Sequence, residues 1–519
     1  MINELRNEIQ NGNNTNVCYS ENDAKMNATT GRALLDLSFK VPQFRGKKSL
    51  SRVEDALFLQ AFFENPEIFL RYLFYMRDVR GGLGERNTFR MAFMWLCNEY
   101  PNLAVRLLDH IAEYGRWDDL VHVALNCSKT EIVNKAIDII VAQVERDKTT
   151  DNVSLLGKWL PSVNAGTVSK KEAKRLIKLI NNSGRFINEA KYRKTLAELR
   201  KKANVVERDI AAKTYSNINY EAVPSLANTR YSRLFLKYDE KRRNEYLESL
   251  QKGNAKINSS VAFPHDIYKM AGRDSVTAEE MWKALPDYID GKSGVIVVRD
   301  GSGSMCSTIP GSTTMALDVA SALSIYFAER LAGVFHNKFI TFSSHPDLVE
   351  LPENTTLAQK RRFLRKFDDY SNTDIESTFD LLLNTAVNNN LKQEDIPGTI
   401  LIISDMEFDR AHCKYDSNWK VVNNDDKLFN IIVKKWSNAG YEMPKLVFWN
   451  VNSRTGAIPV TTNKNGVILV SGYSALICNM VLSNETDPYL ALVKVLDTER
   501  YNPIVESVHD ELLKMSAKH

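Results

Sequence analysis

The sequence lacks the apolar runs and residue clusters that mark membrane, secreted and zinc-binding proteins. No stretch of its 519 residues approaches the roughly 20 consecutive apolar residues that a membrane-spanning helix needs. The first thirty residues are polar and rich in asparagine, so they do not resemble an ordinary secretory signal. The six cysteines are scattered without a CxxC pair, which favours reduced thiols. We therefore expect an intracellular, cytoplasmic protein with no membrane partner.

The net charge is small but unevenly distributed along the chain. The whole sequence carries +4, whereas residues 158–213 contain 15 Lys or Arg against 5 Asp or Glu, a local balance of +10. The remainder therefore sums to −6, which is 4 − 10. A chain of 519 residues also exceeds what one hydrophobic core usually holds, so we expect at least two domains.

The first half of the chain has the apolar spacing of helices. From about residue 51 to residue 290, apolar residues recur every three to four positions, and Pro66, Pro101 and Gly115 interrupt the pattern. This pattern predicts successive antiparallel helices, an arrangement typical of an α-solenoid. The predicted boundaries are a flexible tail over 1–30 and a helical domain over 31–288.

The second half, 289–519, has the pattern of an α/β domain. Short continuous apolar runs alternate with helical stretches, which predicts a mostly parallel sheet covered by helices on both faces. These runs lie at 295–298, 339–342, 400–403, 446–449 and 467–470.

Oxygen-bearing side chains follow two of these predicted strands. Asp300, Ser302 and Ser304 come directly after the first run, and Asp405 comes directly after the run at 400–403. Because the carboxyl ends of parallel strands meet at one sheet edge, we expect these side chains to lie together. Hard oxygen ligands suit Mg²⁺ or another divalent cation.

This Asp-x-Ser-x-Ser pattern resembles the metal-ion-dependent adhesion site of the von Willebrand A family. The resemblance implies a Rossmann-like α/β fold, a further ligand at Thr373, and an open coordination position that a partner's carboxylate fills. Thr373 with Glu376 also fits a helix capping box, Gly301 to Ser304 could be a turn, and Asp405 could be a strand-end residue.

A second resemblance lies in the helical half. It is carried by YLFYMRDVRGGLGER at 72–86 and GRWDDL at 115–120. These segments resemble the TROVE family of telomerase, Ro and vault proteins. They resemble even more an uncharacterised family of plants, fungi and viruses with the same domain order, which also shares KWLPS at 158–162, KYRK at 191–194 and VPS at 223–225.

The resemblance implies a ring or horseshoe of HEAT-like helices followed by the A-type domain, over roughly residues 30–500. In Ro proteins such a ring binds single-stranded RNA ends and small structured RNA. The sequence adds basic and aromatic residues that suit phosphates and bases; the alternative is a helical face exposed to water. The candidate RNA-binding residues are Lys170, Lys171, Lys174, Arg175, Lys178, Lys191, Tyr192, Arg193, Lys194, Lys201 and Lys202.

Three functions follow from these patterns. The leading one is a non-catalytic RNA-binding scaffold of Ro type with a metal-dependent partner-binding site. The second is a protein–protein assembly component, in a viral particle or a host complex, whose metal binds an acidic residue of a partner. The third, a metal-dependent hydrolase, is disfavoured because the only nearby base is His412, outside any catalytic motif.

Two further motifs invite ligand-binding interpretations that the sequence disfavours. The glycine-rich segment 80–86 lacks the ending of a phosphate-binding loop and follows a helical pattern, so we expect a helix–helix connection. Trp117 and Asp118 are expected to pack and to cap a helix.

Overall fold

A computed structural model provides the coordinates of the chain. It describes residues 16, 18–21, 25–185, 187–342, 346–368, 375–407, 425–459, 466–474, 477–482, 485 and 487–517. Within these residues no helix is both long enough and apolar enough to span a bilayer.

The first half of the chain is helical, as the apolar spacing predicts. Proline at the first turn and glycine or polar residues between the helices divide the chain into short pieces. The helices α1 to α17 are Ala33–Phe39, Val41–Phe44, Arg52–Glu64, Pro66–Arg77, Arg86–Glu99, Pro101–Leu107, Ile111–Tyr114, Trp117–Asn126, Thr130–Thr149, Leu156–Trp159, Thr167–Asn182, Glu189–Lys202, Val206–Ala212, Ser225–Tyr238, Glu240–Gln251, Pro264–Ala271 and Ser275–Lys283.

The second half combines strands and helices. All five predicted apolar runs lie in strands, whereas the short strand β5 and, in the first half, the two-residue strands β1 and β2 were not predicted. The strands β1 to β8 are Cys18–Tyr19, Lys25–Met26, Val295–Asp300, Lys338–Phe342, Leu348–Glu350, Thr399–Ser404, Lys445–Asn450 and Val467–Ser471. The helices α18 to α25 are Ala316–Arg330, Leu357–Leu364, Ile375–Asn388, Asp425–Asn438, Cys478–Val481, Pro488–Leu496, Asn502–Glu506 and His509–Ser516.

Six strands form one sheet in the order β5-β4-β3-β6-β7-β8. All neighbours are parallel except β4 and β5. The chain leaves β3 toward β4 on one side and later returns to β6 on the other side. The order of the strands therefore reverses between β3 and β6, and ligands of open α/β sheets bind outside the carboxyl ends of the strands at such a point.

The chain forms two compact units whose boundaries differ from the predicted ones. The α/β unit comprises residues 1–46, 51–64 and 262–495, and the helical unit comprises 47–50, 65–261 and 496–519. The predicted boundary at 288/289 therefore places residues 31–46, 51–64, 262–288 and 496–519 with the other unit. Contacts between residues distant along the chain define the two units. A local sequence pattern does not report such contacts.

The helical unit is built from consecutive helices that pack on one another, including the pairs α4–α5, α5–α6, α8–α9, α11–α12 and α14–α15. A group of aromatic rings fills its centre: Phe74 lies 5.4 Å from Tyr114, which stacks on Tyr501 at 5.7 Å. Tyr501 belongs to the C-terminal segment, which is why residues 496–519 join this unit. Closure of these helices into a ring stays a prediction.

The same segment is fixed by a buried carboxylate. Asp78 is fully buried and accepts hydrogen bonds from Arg500, at 2.8 Å for its Nη2, and from the Tyr501 hydroxyl at 3.1 Å. On the other side Arg71 donates to the carbonyls of Leu496 and Thr498. The C-terminal segment is therefore a structural part of the helical unit.

In the α/β unit the described part of the predicted N-terminal tail is hydrogen-bonded. Strands β1 and β2 pair antiparallel, and Asn27 exchanges backbone hydrogen bonds with Ile458. The Asn16 side chain accepts from the backbone N–H groups of Ala28 and Thr29, each at 3.0 Å. The Asn16 side chain therefore hydrogen-bonds backbone groups within the folded unit. At this position the polar composition reflects these hydrogen bonds and not a flexible tail.

Candidate metal centre

Strands β3 and β6 bring two buried aspartates to the same edge of the sheet. Asp300 is the last residue of β3 and Asp405 follows β6, and both side chains are only 1% exposed. The two strands pair with Arg299 opposite Ile403. Both carboxylates therefore lie at the point where the strand order reverses, as the sequence predicts.

Two hydroxyls link these carboxylates. Ser302 Oγ lies 3.0 Å from Ser304 Oγ, which donates to Asp405 Oδ1 at 3.2 Å. Asp300 accepts from the backbone N–H of Ser302 at 2.9 Å and from the Ser404 hydroxyl at 2.6 Å. We call Asp300, Ser302, Ser304 and Asp405 the oxygen cluster, and the structure brings these four predicted residues together.

One atom of the oxygen cluster lacks a hydrogen-bond donor. Asp405 Oδ2 is buried and accepts no hydrogen bond from the described residues, and the Nη2 of Arg454 lies 3.6 Å away. Burial, and then the nearby Asp300 carboxylate, raises the pKa of Asp405 to about 7. Burial also raises the pKa of Asp300. Two desolvated carboxylates, one of which has an oxygen that accepts no hydrogen bond, fit a divalent cation whose two positive charges would compensate both.

A close backbone approach restricts the loop that carries the serines. A Cβ atom at Gly301 would lie 2.9 Å from the carbonyl oxygen of Phe367. Arg299, 1% exposed within β3, donates to Ser321 Oγ at 3.0 Å and forms an ion pair with Asp368. The chain that precedes the predicted ligand loop is therefore fixed beside the oxygen cluster.

Two predicted residues lie outside the described part of the chain. Thr373 belongs to 369–374, so its role as a metal ligand or as a helix cap stays a prediction. His412, the candidate base of a hydrolase, belongs to 408–424.

Sequence analysis missed Glu407, which organises the loop opposite the serines. This carboxylate is 2% exposed and accepts from the backbone N–H groups of Glu21 at 2.8 Å, Arg454 at 2.7 Å and Thr455 at 3.0 Å. Met406, between the two acidic residues, has a φ of +62°, a left-handed conformation that is uncommon for a methionine. The alternation Asp405-Met406-Glu407 after a strand is the signal that could have indicated it.

The candidate RNA-binding residues lie on α11 and α12, and most are exposed. Three of the candidate RNA-binding residues have structural roles instead. Tyr192 is 3% exposed and its hydroxyl donates to the Pro161 carbonyl at 2.8 Å, so it cannot stack on a base. Arg175 donates to the carbonyl of Leu125, and Lys202 donates to carbonyls at the end of α9, including that of Lys148 at 2.6 Å. The exposed remainder comprises Lys170, Lys171, Lys174, Lys178, Lys191, Arg193, Lys194 and Lys201.

The GRWDDL motif proves structural. Asp119, and not Asp118, accepts the Arg116 N–H at 3.1 Å and so caps α8. The same carboxylate accepts from Arg77 Nε and Arg90 Nε, each at 2.7 Å. The motif therefore anchors two arginines in the core of the helical unit.

The glycine-rich segment 80–86 connects α4 to α5, which confirms the predicted helix–helix connection. Its backbone returns toward the end of α4, where Leu83 N–H donates to the Tyr75 carbonyl at 3.0 Å and Glu85 N–H donates to the Met76 carbonyl at 2.8 Å.

A cavity of about 560 Å³ lies between the helices that carry the GRWDDL and KWLPS motifs. Its cations already have partners among the described residues. Lys158 pairs with Glu207 at 3.0 Å, and Arg200 donates to the carbonyls of Gly157 and Leu160. Because these cationic side chains already have partners, the cavity is a weaker candidate for a ligand-binding site than the oxygen cluster.

Comparison with known proteins gives matches along almost the whole chain. A domain of unknown function (DUF2828) matches residues 20–152 and 136–290, which together cover 271 of the 519 residues, and a second domain of unknown function (DUF7788) matches 294–504. The uncharacterized protein L728 of Acanthamoeba polyphaga mimivirus is 27% identical over 537 residues, covering 94% of this chain and 89% of that protein.

A solved structure with some similarity is that of the Deinococcus radiodurans Ro (RSR) protein. The superposition covers 90% of this chain and 99% of that chain, with 12% sequence identity and a TM-score of 0.45. At that score the similarity decides neither the fold nor the function of this chain.

Proposed function

The chain belongs to the DUF2828 family, and we propose that it is a non-catalytic binding protein whose oxygen cluster holds a divalent cation, Mg²⁺ by preference, for an acidic group of a partner. In this proposal the sheet and its helices form a von Willebrand A-type domain, and Thr373 is a further ligand.

The single observation that carries the proposal is the buried Asp405 Oδ2, which accepts no hydrogen bond from the described residues. A buried carboxylate oxygen without a donor is costly unless a cation or another donor neutralises it. Asp300, Ser302 and Ser304 present three further oxygens beside it, and few charged ligands suit a cation that keeps waters. The cation would act as a Lewis acid toward a carboxylate oxygen of the partner.

Titration of the purified chain with Mn²⁺ by isothermal calorimetry tests the cation site. We expect saturable binding at one site, which Asp300→Ala abolishes because it removes a buried ligand. Glu353→Gln, which removes an exposed carboxylate of the same unit, is the matched control and should leave the affinity unchanged. Wild-type protein that takes up no Mn²⁺ would contradict the proposal.

Binding of an acidic ligand is tested separately with an immobilised peptide that contains one glutamate. We expect the chain to bind this peptide in Mn²⁺ and to release it in EDTA, whereas the same peptide with glutamine is not bound in either buffer. Binding that is equal with and without the metal would rule out a role of the cation in partner recognition.

A second candidate function, RNA binding, is favoured by the exposed lysines and arginines of α11 and α12. These two helices carry 11 Lys or Arg against 3 Glu. Such an excess of basic side chains attracts phosphates, and the binding weakens steeply with salt. We expect a small hairpin RNA and a single-stranded oligonucleotide to bind at low salt. Charge reversal at Lys191, Arg193 and Lys194 should abolish this binding.

The control for this experiment is charge reversal at Lys237, Lys241 and Lys252, three exposed lysines of α14, α15 and the residue after α15. Because this control changes the net charge equally, RNA binding lost in both variants would indicate a general charge effect. Affinity without any salt dependence would contradict RNA binding by these helices.

A further inference from the structure

Arg454 holds the cationic end of its side chain between two carboxylates and a carbonyl. Its Nη2 lies 3.6 Å from Asp405 Oδ2 and forms an ion pair with Glu21, and its Nη1 donates to the Ser304 carbonyl at 3.4 Å. Among the described residues this is the guanidinium that contacts the oxygen cluster from the outside.

The carboxylates of Asp405 and Glu21 and the guanidinium of Arg454 differ in their exposure to solvent. The side chain of Asp405 is 1% exposed, that of Arg454 is 31% exposed and that of Glu21 is 55% exposed. The guanidinium therefore lies at the rim of the site, with a buried anion on one side and a solvated anion on the other.

We propose that Arg454 is a tethered counter-cation of the oxygen cluster, which compensates both Asp405 and Glu21 in the metal-free protein and keeps only its pair with Glu21 when the divalent cation binds. This inference rests on the proposed function, because it assumes that the oxygen cluster is a cation site. In this inference Arg454 sets the metal affinity, and Glu21 holds the guanidinium of Arg454 once the cation is bound.

The geometry distinguishes this role from a permanent structural ion pair. A fixed arginine–carboxylate pair has N···O distances of about 2.7–2.9 Å, whereas the contact between Arg454 and Asp405 is 3.6 Å long and leaves Asp405 Oδ2 without a hydrogen bond. The attraction is thus electrostatic and can be lost at low cost when a doubly charged ion takes its place.

The surroundings allow the side chain to move while its backbone stays in place. The Arg454 N–H donates to buried Glu407 at 2.7 Å, and the Glu21 N–H donates to the same carboxylate at 2.8 Å. One buried group therefore fixes both the base of the arginine and its second partner. A cation at the oxygen cluster would repel the guanidinium, and the Glu21 carboxylate is already within ion-pair distance to accept it.

The experiment measures Mn²⁺ affinity of the full chain by calorimetry, with Mn²⁺ alone as the probe. We expect Arg454→Met to bind Mn²⁺ about fivefold more tightly, the size of effect that one partly exposed ion pair supports. Arg454→Lys, which keeps the charge, should stay within about twofold of wild type. Glu21→Gln should bind Mn²⁺ about two- to threefold more weakly, because the guanidinium loses its second partner.

The double variant separates competition from a simple change of net charge. If Glu21 acts only through Arg454, Arg454→Met with Glu21→Gln binds Mn²⁺ as tightly as Arg454→Met alone. If the two charges act independently, their effects multiply and the double variant binds Mn²⁺ only about twofold more tightly than wild type, which overturns the proposal. Lys292→Gln, at the opposite end of β3, is the control for the loss of one positive charge and should have no effect.

The outcomes also separate this inference from the proposed function. Wild-type protein that binds Mn²⁺ while Arg454→Met binds it no more tightly overturns the inference and leaves the cation site standing. Binding by Arg454→Met without measurable binding by wild type supports the inference and contradicts the proposed function of the wild-type chain. Absence of binding in both proteins refutes both. Circular dichroism spectra that match wild type show that each variant is folded.

Discussion

Replacing Asp119 with alanine removes the carboxylate that neutralises two arginines inside the helical unit. The Arg77 side chain is 2% exposed and the Arg90 side chain is 18% exposed, and each donates its Nε–H to Asp119 at 2.7 Å. Burial lowers the pKa of Arg77, and the Asp119 charge opposes this shift. Without Asp119 a guanidinium remains buried, and the carboxylate that faces it is gone.

The expected loss of stability follows from the number and burial of these contacts. An uncompensated buried charge costs about 3–5 kcal/mol, and the lost cap of α8 adds about 1 kcal/mol. We therefore expect Asp119→Ala to lower the free energy of unfolding by about 4 kcal/mol or more. Asp119→Asn keeps one acceptor oxygen but removes the charge, so it should still cost about 3 kcal/mol.

Asp118 provides the matched control within the same motif. Its side chain is 19% exposed and its ion-pair partners are 18% to 48% exposed, so Asp118→Ala should cost about 1 kcal/mol or less. Hydrogen exchange of peptides that span residues 66–126, read by mass spectrometry, reports the opening free energy of this region directly. Equal protection in the Asp118 and Asp119 variants would refute the reasoning.

Three further predictions concern the oxygen cluster and a thiol pair. Gly301→Ala should weaken Mn²⁺ binding in calorimetry about tenfold or more, because its Cβ would meet the Phe367 carbonyl at 2.9 Å. A hydrogen bond with Cys97 lowers the pKa of Cys127 to about 6. Cys127 should therefore react with iodoacetamide at pH 7, and the rate of this reaction should fall markedly in Cys97→Ala. Burial and a neighbouring carboxylate raise the pKa of Asp405 from 3.8 to about 7, so its contribution to stability is present below pH 4 and lost as pH rises through 7. Asp405→Asn should therefore unfold at higher urea concentration than metal-free wild type at pH 8, with no gain at pH 4.

The sequence predicts the oxygen cluster because the residues that indicate it lie next to short apolar runs in the sequence. Asp300 and Asp405 each follow a short apolar run, and parallel strands bring their carboxyl ends to one edge whatever the rest of the chain does. Arg454 and Glu21 carry no such pattern. They reach the same site through loops, and the carboxylate that fixes both, Glu407, is recognisable only after the strand has been placed.

In the helical half, the interpretation of Tyr192 as a base-stacking residue is wrong. Tyr192 was grouped with basic neighbours as a base-stacking residue, although Tyr192, Leu196 and Leu199 share the spacing of one buried helix face. This periodicity indicates that the Tyr192 ring packs in the core, where the structure places it. The hydrogen bonds that Arg175 and Lys202 donate to helix ends could not be predicted, because the carbonyls that accept them belong to other helices, far away in the sequence.

The pairing of Asp78 with Arg500 also affects folding during synthesis, because the arginine is made long after the aspartate. The two residues are 422 positions apart, and ribosomes add about 5–20 residues per second. Asp78 therefore emerges about 20–85 s before the arginine that neutralises it has been made. During that interval the helices from α4 onward carry a carboxylate meant for the interior without its partner. A fragment cut at the apparent boundary near residue 288 would keep it in that state permanently, so such a fragment should be a substrate for chaperones and proteases.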